Sequence, residues 1–261
     1  MTPRLMGVVN VTPDSFSDGG LFLDPEAAIA HGRELAAQGA AILDVGGEST
    51  RPGSQPVPEA EELARVLPVV EALAGDGATV SIDTSKSAVA AAALEAGATI
   101  VNDVTALRDP GMAALCAERD ATVVLMHMRG DPRTMQDAPA YEDVVAEIKD
   151  FLSARTAIAV GAGIARERIW LDPGIGFGKT AEHNLELLRR LPELAALGQP
   201  LVIGTSRKSF LGKFDGSPAG DRLGGTIATA VLAAASGADV LRVHDVAEVG
   251  QALAVAGAVH G

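Results

Sequence analysis

The segment AGATIVNDV, from Ala96 to Val104, contains the signals that decide the fold. Its Gly-Ala step ends an alanine-rich amphipathic stretch, as expected for a helix that closes with a left-handed glycine. The apolar run that follows is rich in β-branched residues and shows no alternation, which is typical of a parallel strand covered on both faces. The run ends in the polar pair Asn102 and Asp103. The same Gly-Ala step precedes apolar runs in QGAAIL and SGADVL, so the unit repeats along the chain.

Eight such strands are predicted, and helical segments alternate with them. The strands are LMGVVN, AILDVG, TVSID, TIVND, TVVLMH, RIWLDP, LVIGTS and DVLRVH. The helices lie at roughly 25–38, 58–74, 85–96, 111–119, 141–160, 181–197, 219–236 and 245–258. Strict alternation predicts an α/β chain folded as a single (β/α)8 TIM barrel, with an open doubly wound sheet as the alternative. No linker divides residues 1–261, so we expect one domain.

The composition of the chain argues against nucleic acids and membranes as binding partners. The 261 residues carry a formal net charge of −13, and only 3% of them are aromatic. The charge repels phosphate backbones and anionic lipids, and stacking side chains for nucleic acid are scarce. Cys116 is the only cysteine, which suits a reducing compartment, and no apolar stretch reaches membrane-spanning length. We expect a soluble cytoplasmic protein that binds neither nucleic acid nor membranes.

Polar residues stand at or just after the end of each predicted strand. They are Asn10, Asp44, Asp83, Asn102 with Asp103, His127, Asp172, Ser206 to Lys208, and Arg242 with His244. Because the carboxyl ends of barrel strands converge on one rim, these side chains are expected to share one site. For Asp44, Asp83 or Asp103 taken singly, capping of a loop or helix explains the residue as well as function does. Function is favoured for Asp172, because the glycines of LDPGIGFGK bring backbone close to whatever its carboxylate holds.

The cations of the last two strand ends indicate a phosphate site. Loops after strands seven and eight are the usual phosphate-binding loops of such barrels, and here they carry Arg207, Lys208, Arg242 and His244. Clustered cations suit a diphosphate, with Arg207 expected to support its loop. The amide oxygen of Asn10 can ligate a Mg²⁺ ion whose other ligands are waters and phosphate oxygens.

Other motifs carry less chemistry. GIGFGKT does not match a nucleotide phosphate loop, because Pro173 stands where that loop needs its first glycine. No G-x-S-x-G elbow supports a serine nucleophile. His127 has no second His or Cys at ligand spacing, so we expect its neighbours to satisfy it. Cys116 is expected to be a small apolar residue of a helix.

Two long connections, VTPDSFSDGGLFLD and GGESTRPGSQPVP, follow strands one and two, and long loops in compact domains are usually functional. Together with the strand ends, they resemble the dihydropteroate synthase family. The shared motifs are MGVVNVTPDSFSDGG, DVGGESTRPG, SIDTSK, IVNDV, LMHM, LDPGIGFGK, GTSRKSFLG and LRVHDV. The resemblance implies a barrel enzyme that joins 6-hydroxymethyl-7,8-dihydropterin diphosphate to 4-aminobenzoate, releasing 7,8-dihydropteroate and diphosphate. It also implies Mg²⁺ as cofactor, a homodimer, and competition by sulfonamides.

The resemblance further implies roles for individual residues. The pterin-binding positions are Asp83, Asn102, Met126, Asp172, Phe177, Gly204 and Lys208. The 4-aminobenzoate positions are Phe16, Thr50, Arg51, Pro52 and Ser209. The diphosphate positions are Asn10, Arg242 and His244, and Asn10 is also the metal ligand. The implied catalytic residues are Asp18, Asp83, Lys208, Arg242 and His244, with Asp18 on a loop that closes over the reaction centre.

Two alternatives stay open. Methyltetrahydrofolate-dependent corrinoid methyltransferases also use a pterin-binding barrel, but they have no use for a diphosphate site or an aminobenzoate pocket. The motifs SRKSF, RVHDV and GGESTRPG therefore favour the synthase. A non-catalytic paralogue that binds pterin or serves as a scaffold is the second alternative.

Overall fold

The computed structural model describes residues 2–12, 25–50 and 53–260. In these ranges eight parallel strands form one sheet with the order β6-β5-β4-β3-β2-β1-β8-β7. They are β1 Arg4–Asn10, β2 Ile42–Gly46, β3 Val80–Asp83, β4 Ile100–Asp103, β5 Thr122–Met126, β6 Ile169–Asp172, β7 Val202–Ile203 and β8 Val240–Val243. A parallel bridge between Leu171 and Leu201 joins β6 to the start of β7 and closes the ring. The predicted TIM-barrel fold is confirmed.

Helices follow the strands around the outside of the barrel. Those described are α1 Pro25–Ala37, α2 Glu59–Gly75, α3 Ser87–Glu95, α4 Met112–Glu118, α5 Val144–Gly161, α6 Ala181–Arg189, α7 Leu191–Ala195, α8 Leu223–Ala235 and α9 Val246–His260. The single helix predicted over 181–197 is instead the pair α6 and α7, because Pro192 lacks the N–H that would continue α6. The helix predicted from residue 219 becomes α-helical only at Leu223, after a 3₁₀ turn at Ala219–Asp221.

Glycines in the left-handed region end several helices just before the next strand. Gly39, Gly97 and Gly237 have φ values of 103°, 111° and 101°, as the Gly-Ala steps predict. At the opposite helix end, the Asp143 side chain accepts hydrogen bonds from two N–H groups of the first turn of α5. These caps fix where each helix stops and so where each strand enters the ring.

Two interior layers divide the barrel along its strands. Side chains alternate in direction along a strand, so every second residue faces inward. The lower layer is buried and almost entirely apolar, and it consists of Met6, Ile42, Ile100, Val124, Trp170, Val202 and Val240, with Ser81 from β3. Two residues further along the same strands lies the upper layer, which consists of Val8, Asp44, Asn102, Met126, Asp172, Gly204 and Arg242, with Asp83 from β3. The interior therefore changes from apolar to polar toward the carboxyl ends of the strands.

The larger core lies between the barrel and the helices. It includes Leu35, Leu73, Ile148 and Leu152, each almost fully buried. Cys116 is buried in this core, as predicted, and burial raises the pKa of its thiol to about 12. In the described part of the chain, no helix combines the length and the apolar character needed to cross a bilayer.

Candidate functional site

A cavity of about 430 Å³ opens at the carboxyl end of the barrel. Every predicted pterin and diphosphate residue lines it, namely Asn10, Asp83, Asn102, Met126, Asp172, Phe177, Gly204, Lys208, Arg242 and His244. Thr50 and Ser209, predicted for 4-aminobenzoate, line it as well. Phe16, Asp18, Arg51 and Pro52 lie outside the described residues. The structure thus brings all the described candidates together at one mouth, while their individual roles stay predictions.

Arg242 joins two buried carboxylates in the upper layer. Its Nε donates to Asp44 Oδ2 at 2.6 Å, and its Nη2 donates to Asp83 Oδ2 at 2.7 Å. Asn102 Nδ2 also donates to Asp44 Oδ2, at 3.0 Å. Burial alone would lower the pKa of Arg242, but Asp44 and Asp83 outweigh it, so the net direction is upward. The Asp44 carboxylate, for which the sequence allows either capping or function, therefore helps to place Arg242.

Asp83 is a buried carboxyl group with incomplete hydrogen bonding. Burial raises its pKa to about 7, Arg242 opposes that shift, and the charges of Asp44 and Glu62 add to it. Its Oδ1 atom is buried and has no hydrogen-bond partner in the part of the chain that is described. An unpaired buried oxygen costs about 1–3 kcal/mol. A ligand that brings a donor or a positive charge to Asp83 would remove that cost.

Asp172 is held by the glycine-rich turn that follows β6. Its Oδ1 accepts the Gly174 N–H at 2.7 Å, and burial raises the pKa of the carboxyl group. Gly174 has a φ of 67°, and a Cβ atom there would lie 1.9 Å from the carbonyl oxygen of His127. Only glycine fits this position, so the turn packs directly on the end of β5.

His127 is buried and is not among the residues that line the cavity, and its neighbours satisfy it as predicted. Its ring packs edge-on against Phe151 with centroids 4.9 Å apart, and Lys179 Nζ lies 3.0 Å from its Nδ1. Burial and the Lys179 charge lower the pKa of His127 to about 3, so the imidazole is neutral. Among the residues described, no group of three or more His, Cys, Asp or Glu side chains is arranged to hold a metal ion.

The loop after β7 is held by contacts with residues at the starts of α8 and α9. Arg207 has a φ of 56°, and its N–H donates to Thr226 Oγ1 at 3.0 Å. Arg222 Nη1 donates to the Arg207 carbonyl at 3.1 Å. The Arg207 side chain donates to Asp245 Oδ1 at 2.6 Å. These contacts support the loop that presents Lys208, as the sequence predicted.

Lys208 and His244 approach the cavity from adjacent loops. Lys208 Nζ lies 3.9 Å from the centre of the Phe177 ring, within cation–π distance. His244 Nδ1 lies 2.9 Å from Ser206 Oγ. The β7 and β8 loops therefore place a cation and an imidazole beside the carboxylates of the upper layer.

The segment between β5 and α5 forms a wall of the cavity that the strand-end pattern does not predict. Met135 lines the cavity and belongs to a small apolar cluster with Met126. Gln136 Nε2 donates to the Gly176 carbonyl at 2.9 Å, and Tyr141 Oη donates to the Gly178 carbonyl at 2.8 Å. The available signals were the length of this connection and its glycine, proline and methionine content.

Fold and site together define an enzyme-type barrel whose mouth offers carboxylates to one part of a ligand and cations to another. A family model described as pterin binding enzyme matches residues 6–244. The chain is 48% identical over 254 residues to dihydropteroate synthase of Escherichia coli (strain K12), covering 97% of this chain and 90% of that protein.

Solved structures agree with this similarity. The Yersinia pestis dihydropteroate synthase in complex with a sulfonamide drug superposes with a TM-score of 0.96 at 45% identity, covering 99% of this chain and 94% of the other. The Xanthomonas albilineans dihydropteroate synthase in complex with 7,8-dihydropteroate gives a TM-score of 0.90 at 48% identity, covering 99% and 94%. The chain belongs to the dihydropteroate synthase family.

Proposed function

We propose that the protein condenses 6-hydroxymethyl-7,8-dihydropterin diphosphate with 4-aminobenzoate to give 7,8-dihydropteroate and diphosphate. The observation that carries this proposal is that Asp83, Asp172, Lys208 and Arg242 line one cavity of about 430 Å³. Such a volume suits a small organic ligand, and the mixed charge suits one with a donor-rich ring and an anionic end. Relatives solved with a sulfonamide drug and with 7,8-dihydropteroate support the same substrate pair.

We place the pterin ring against Asp172 and Asn102. The described residues give the Asp172 carboxylate one hydrogen bond, from Gly174, so its other oxygen is available to an N–H of the heterocycle. The guanidine-like edge of a pterin presents paired donors that suit a carboxylate. The Asn102 amide offers both a donor and an acceptor. Met126 and Phe177 supply the apolar surface that a flat ring needs.

We place the diphosphate toward Arg242, His244 and Asn10. Asn10 brings one neutral amide oxygen to the cavity, and the described residues add no metal-binding cluster of carboxylates. That donor set fits a Mg²⁺ ion that keeps most of its waters and binds phosphate oxygens. When bound, Mg²⁺ would supply positive charge that stabilises the departing diphosphate.

The proposed reaction exchanges one bond at the exocyclic methylene carbon of the pterin. The C–O bond breaks and its electron pair leaves with diphosphate, the amino nitrogen of 4-aminobenzoate forms a C–N bond, and that nitrogen releases a proton to solvent water. Positive charge develops on the methylene carbon, and ionised Asp83 stabilises it, with Asp18 as a second proposed carboxylate. An arylamine is already neutral at pH 7, so attack needs no general base.

We place 4-aminobenzoate at the rim of the cavity, beside Thr50 and Ser209. Arg51, Pro52 and Phe16 complete this proposed pocket. A sulfonamide has the shape and polarity of 4-aminobenzoate, so we expect sulfonamides to compete with it.

The test is product formation by the purified protein. The protein is incubated with pterin diphosphate, labelled 4-aminobenzoate and Mg²⁺, and dihydropteroate and diphosphate are quantified. We expect equal amounts of both products, and none when pterin diphosphate is omitted. Pterin binding without product would indicate a non-catalytic paralogue, and corrinoid-dependent methyl transfer would indicate the methyltransferase alternative.

We also propose a homodimer in the cytoplasm. Leu232 on α8 and Val255 and Val259 on α9 are 60%, 61% and 76% exposed, and the two helices pack side by side. Their exposed faces are rich in alanine and valine despite the acidic composition of the chain, which suits contact with a second copy. Light scattering should give twice the chain mass, and Leu232→Glu should give the single-chain mass. A cytoplasmic location is consistent with the lone buried cysteine.

A further inference from the structure

A partly buried ionic cluster lies beside the cavity, and the proposed chemistry does not use it. Lys86 Nζ donates to Glu48 Oε2 and to Glu62 Oε2, both at 2.5 Å. The Glu62 side chain is 1% exposed, whereas those of Glu48 and Lys86 are 22% and 25% exposed. Burial alone would lower the pKa of Lys86, but the two carboxylates outweigh it and raise the pKa. The ammonium group therefore stays charged.

The three groups come from three separate parts of the barrel. Glu48 lies in loop two, which we define as the described residues 47–50 and 53–58 between β2 and α2, while Glu62 lies in α2 and Lys86 precedes α3. A smaller cavity of about 80 Å³ contacts all three groups. Glu48, Thr50, Asp83 and Val104 line both this cavity and the larger one, so the cluster borders the proposed substrate site.

Glu48 ties loop two together at its two ends. The same Oε2 atom that accepts from Lys86 also accepts the Val57 N–H at 2.9 Å. Arg65 Nη1 holds the start of the loop by donating to the Gly47 carbonyl at 2.7 Å. Thr50 lies only two residues beyond Glu48. The position of this rim segment therefore depends on where the Glu48 carboxylate is held.

We propose that Lys86 is a positioning residue for the 4-aminobenzoate half of the site. The identity of that substrate rests on the proposed function. The Lys86 ammonium holds Glu48 against the start of α3 and so fixes loop two in the form that receives the arylamine. Without the ammonium, two carboxylates would lie side by side with little solvent and would repel each other. Glu48 is the more exposed of the two, so it would turn toward water and loop two would move with it.

The experiment compares Lys86→Met with Lys86→Arg and with a matched control. Arg168→Met is the control, because Arg168 pairs with Asp120 just before β6 and β5, at the opposite end of the barrel. KM for each substrate and kcat are measured with Mg²⁺ present. We expect Lys86→Met to raise KM for 4-aminobenzoate about tenfold, because a displaced binding segment loses part of its interaction with the substrate. KM for pterin diphosphate should change much less, Lys86→Arg should restore the wild-type values, and Arg168→Met should leave both KM values unchanged.

Other outcomes separate this inference from the proposed function. A folded Lys86→Met protein with an unchanged 4-aminobenzoate KM, or with equal increases in both KM values, would overturn the positioning role. If Lys86→Met does not fold, Glu48→Gln, which keeps Lys86 paired with Glu62, must give the same selective increase. If the wild-type protein makes no dihydropteroate, the proposed function fails. The same comparison is then decided by calorimetric binding of 4-aminobenzoate in the presence of pterin diphosphate.

Discussion

The lower and upper layers of the barrel are built on the same strands but have opposite chemistry. On β4 the inward residues are Ile100 and then Asn102, and on β6 they are Trp170 and then Asp172. The lower layer is almost entirely apolar and gains free energy from burial. The upper layer buries carboxyl groups whose pKa values are raised, which is unfavourable unless a ligand or a cation compensates. On each strand, the residue that stabilises the barrel and the residue proposed to act on substrates are therefore only two positions apart.

Asp172→Asn, a substitution in the upper layer, should have the largest effect on activity. We expect kcat/KM for pterin diphosphate to fall about 10³-fold, or roughly 4 kcal/mol, because an amide N–H₂ would face the donors of the pterin. The midpoint of thermal unfolding should not fall, since a buried carboxylate is removed.

The matched control for this variant is Asp103→Asn. Asp103 is equally buried at a strand end, but its carboxylate accepts hydrogen bonds from Thr105 and Leu107 on the outer side of β4. This control should lower stability and leave kcat/KM nearly unchanged. Similar kinetic losses in both variants would mean that the inward-facing layer has no special role.

Ile100→Ala should give the opposite result in the lower layer. Removing the buried side chain should cost about 2–4 kcal/mol of unfolding free energy, and Ile100→Val about 0.5–1.5 kcal/mol. Denaturant unfolding measures the loss, and steady-state assays below the transition should show kcat/KM close to wild type. A large kinetic defect in the folded variant would show that the two layers are not separable.

The pH dependence of activity should report on Asp83. With a pKa of about 7, the Asp83 carboxyl is mostly protonated at pH 6 and mostly ionised at pH 8. The proposed step needs the ionised form, so kcat/KM should fall about tenfold from pH 8 to pH 6. Asp83→Asn should remove this dependence, and a pH profile that the substitution does not alter would exclude Asp83 as its source.

The same pKa has a defined effect on stability. The ordinary pKa of an aspartate, about 3.9, applies to the unfolded chain, so folding takes up a proton between pH 4 and 7, roughly. The stabilising contribution of protonated Asp83 is present below this range and is lost as the pH rises through about 7.

Asp44→Asn should produce the smallest of these effects. The Asp44 charge helps to raise the pKa of Asp83, so removing it should lower that pKa. The variant should therefore keep a larger fraction of its pH 8 activity at pH 6 than the wild-type protein does. A fraction that stays the same or falls would show that Asp44 does not influence Asp83 through its charge.

The sequence was sufficient to predict the barrel and the location of its site. Eight apolar runs predict the strands, and the polar residues at their ends predict a site at the carboxyl ends of those strands. It was insufficient to predict which strand-end residues face inward. In IVND the run is buried on both sides, so its pattern does not distinguish Asn102, which bonds to Asp44 inside, from Asp103, which organises the next loop outside. Only the register of neighbouring strands decides this.

Contacts between distant segments were also beyond sequence reasoning. Arg242 and Asp44 are 198 positions apart and meet because β1 pairs with both β2 and β8. Likewise, the sequence predicts only that Lys86 lies near the start of a helix. Its two carboxylate partners, Glu48 and Glu62, reach it because loop two and α2 pack beside it. Such pairs form when distant segments pack together in the barrel, and the sequence around either residue does not indicate the other.

The single bridge between Leu171 and Leu201 has a consequence for local opening. β7 contains two residues, and the Leu171 N–H reaches the Pro200 carbonyl across this junction, so few hydrogen bonds hold β6 to β7. In hydrogen–deuterium exchange, this amide should be among the earliest barrel amides to exchange. Asp172 lies on one side of the junction and Gly204 on the other, so a bound heterocycle would span it. A ligand bound in the cavity would then slow amide exchange at the β6–β7 junction.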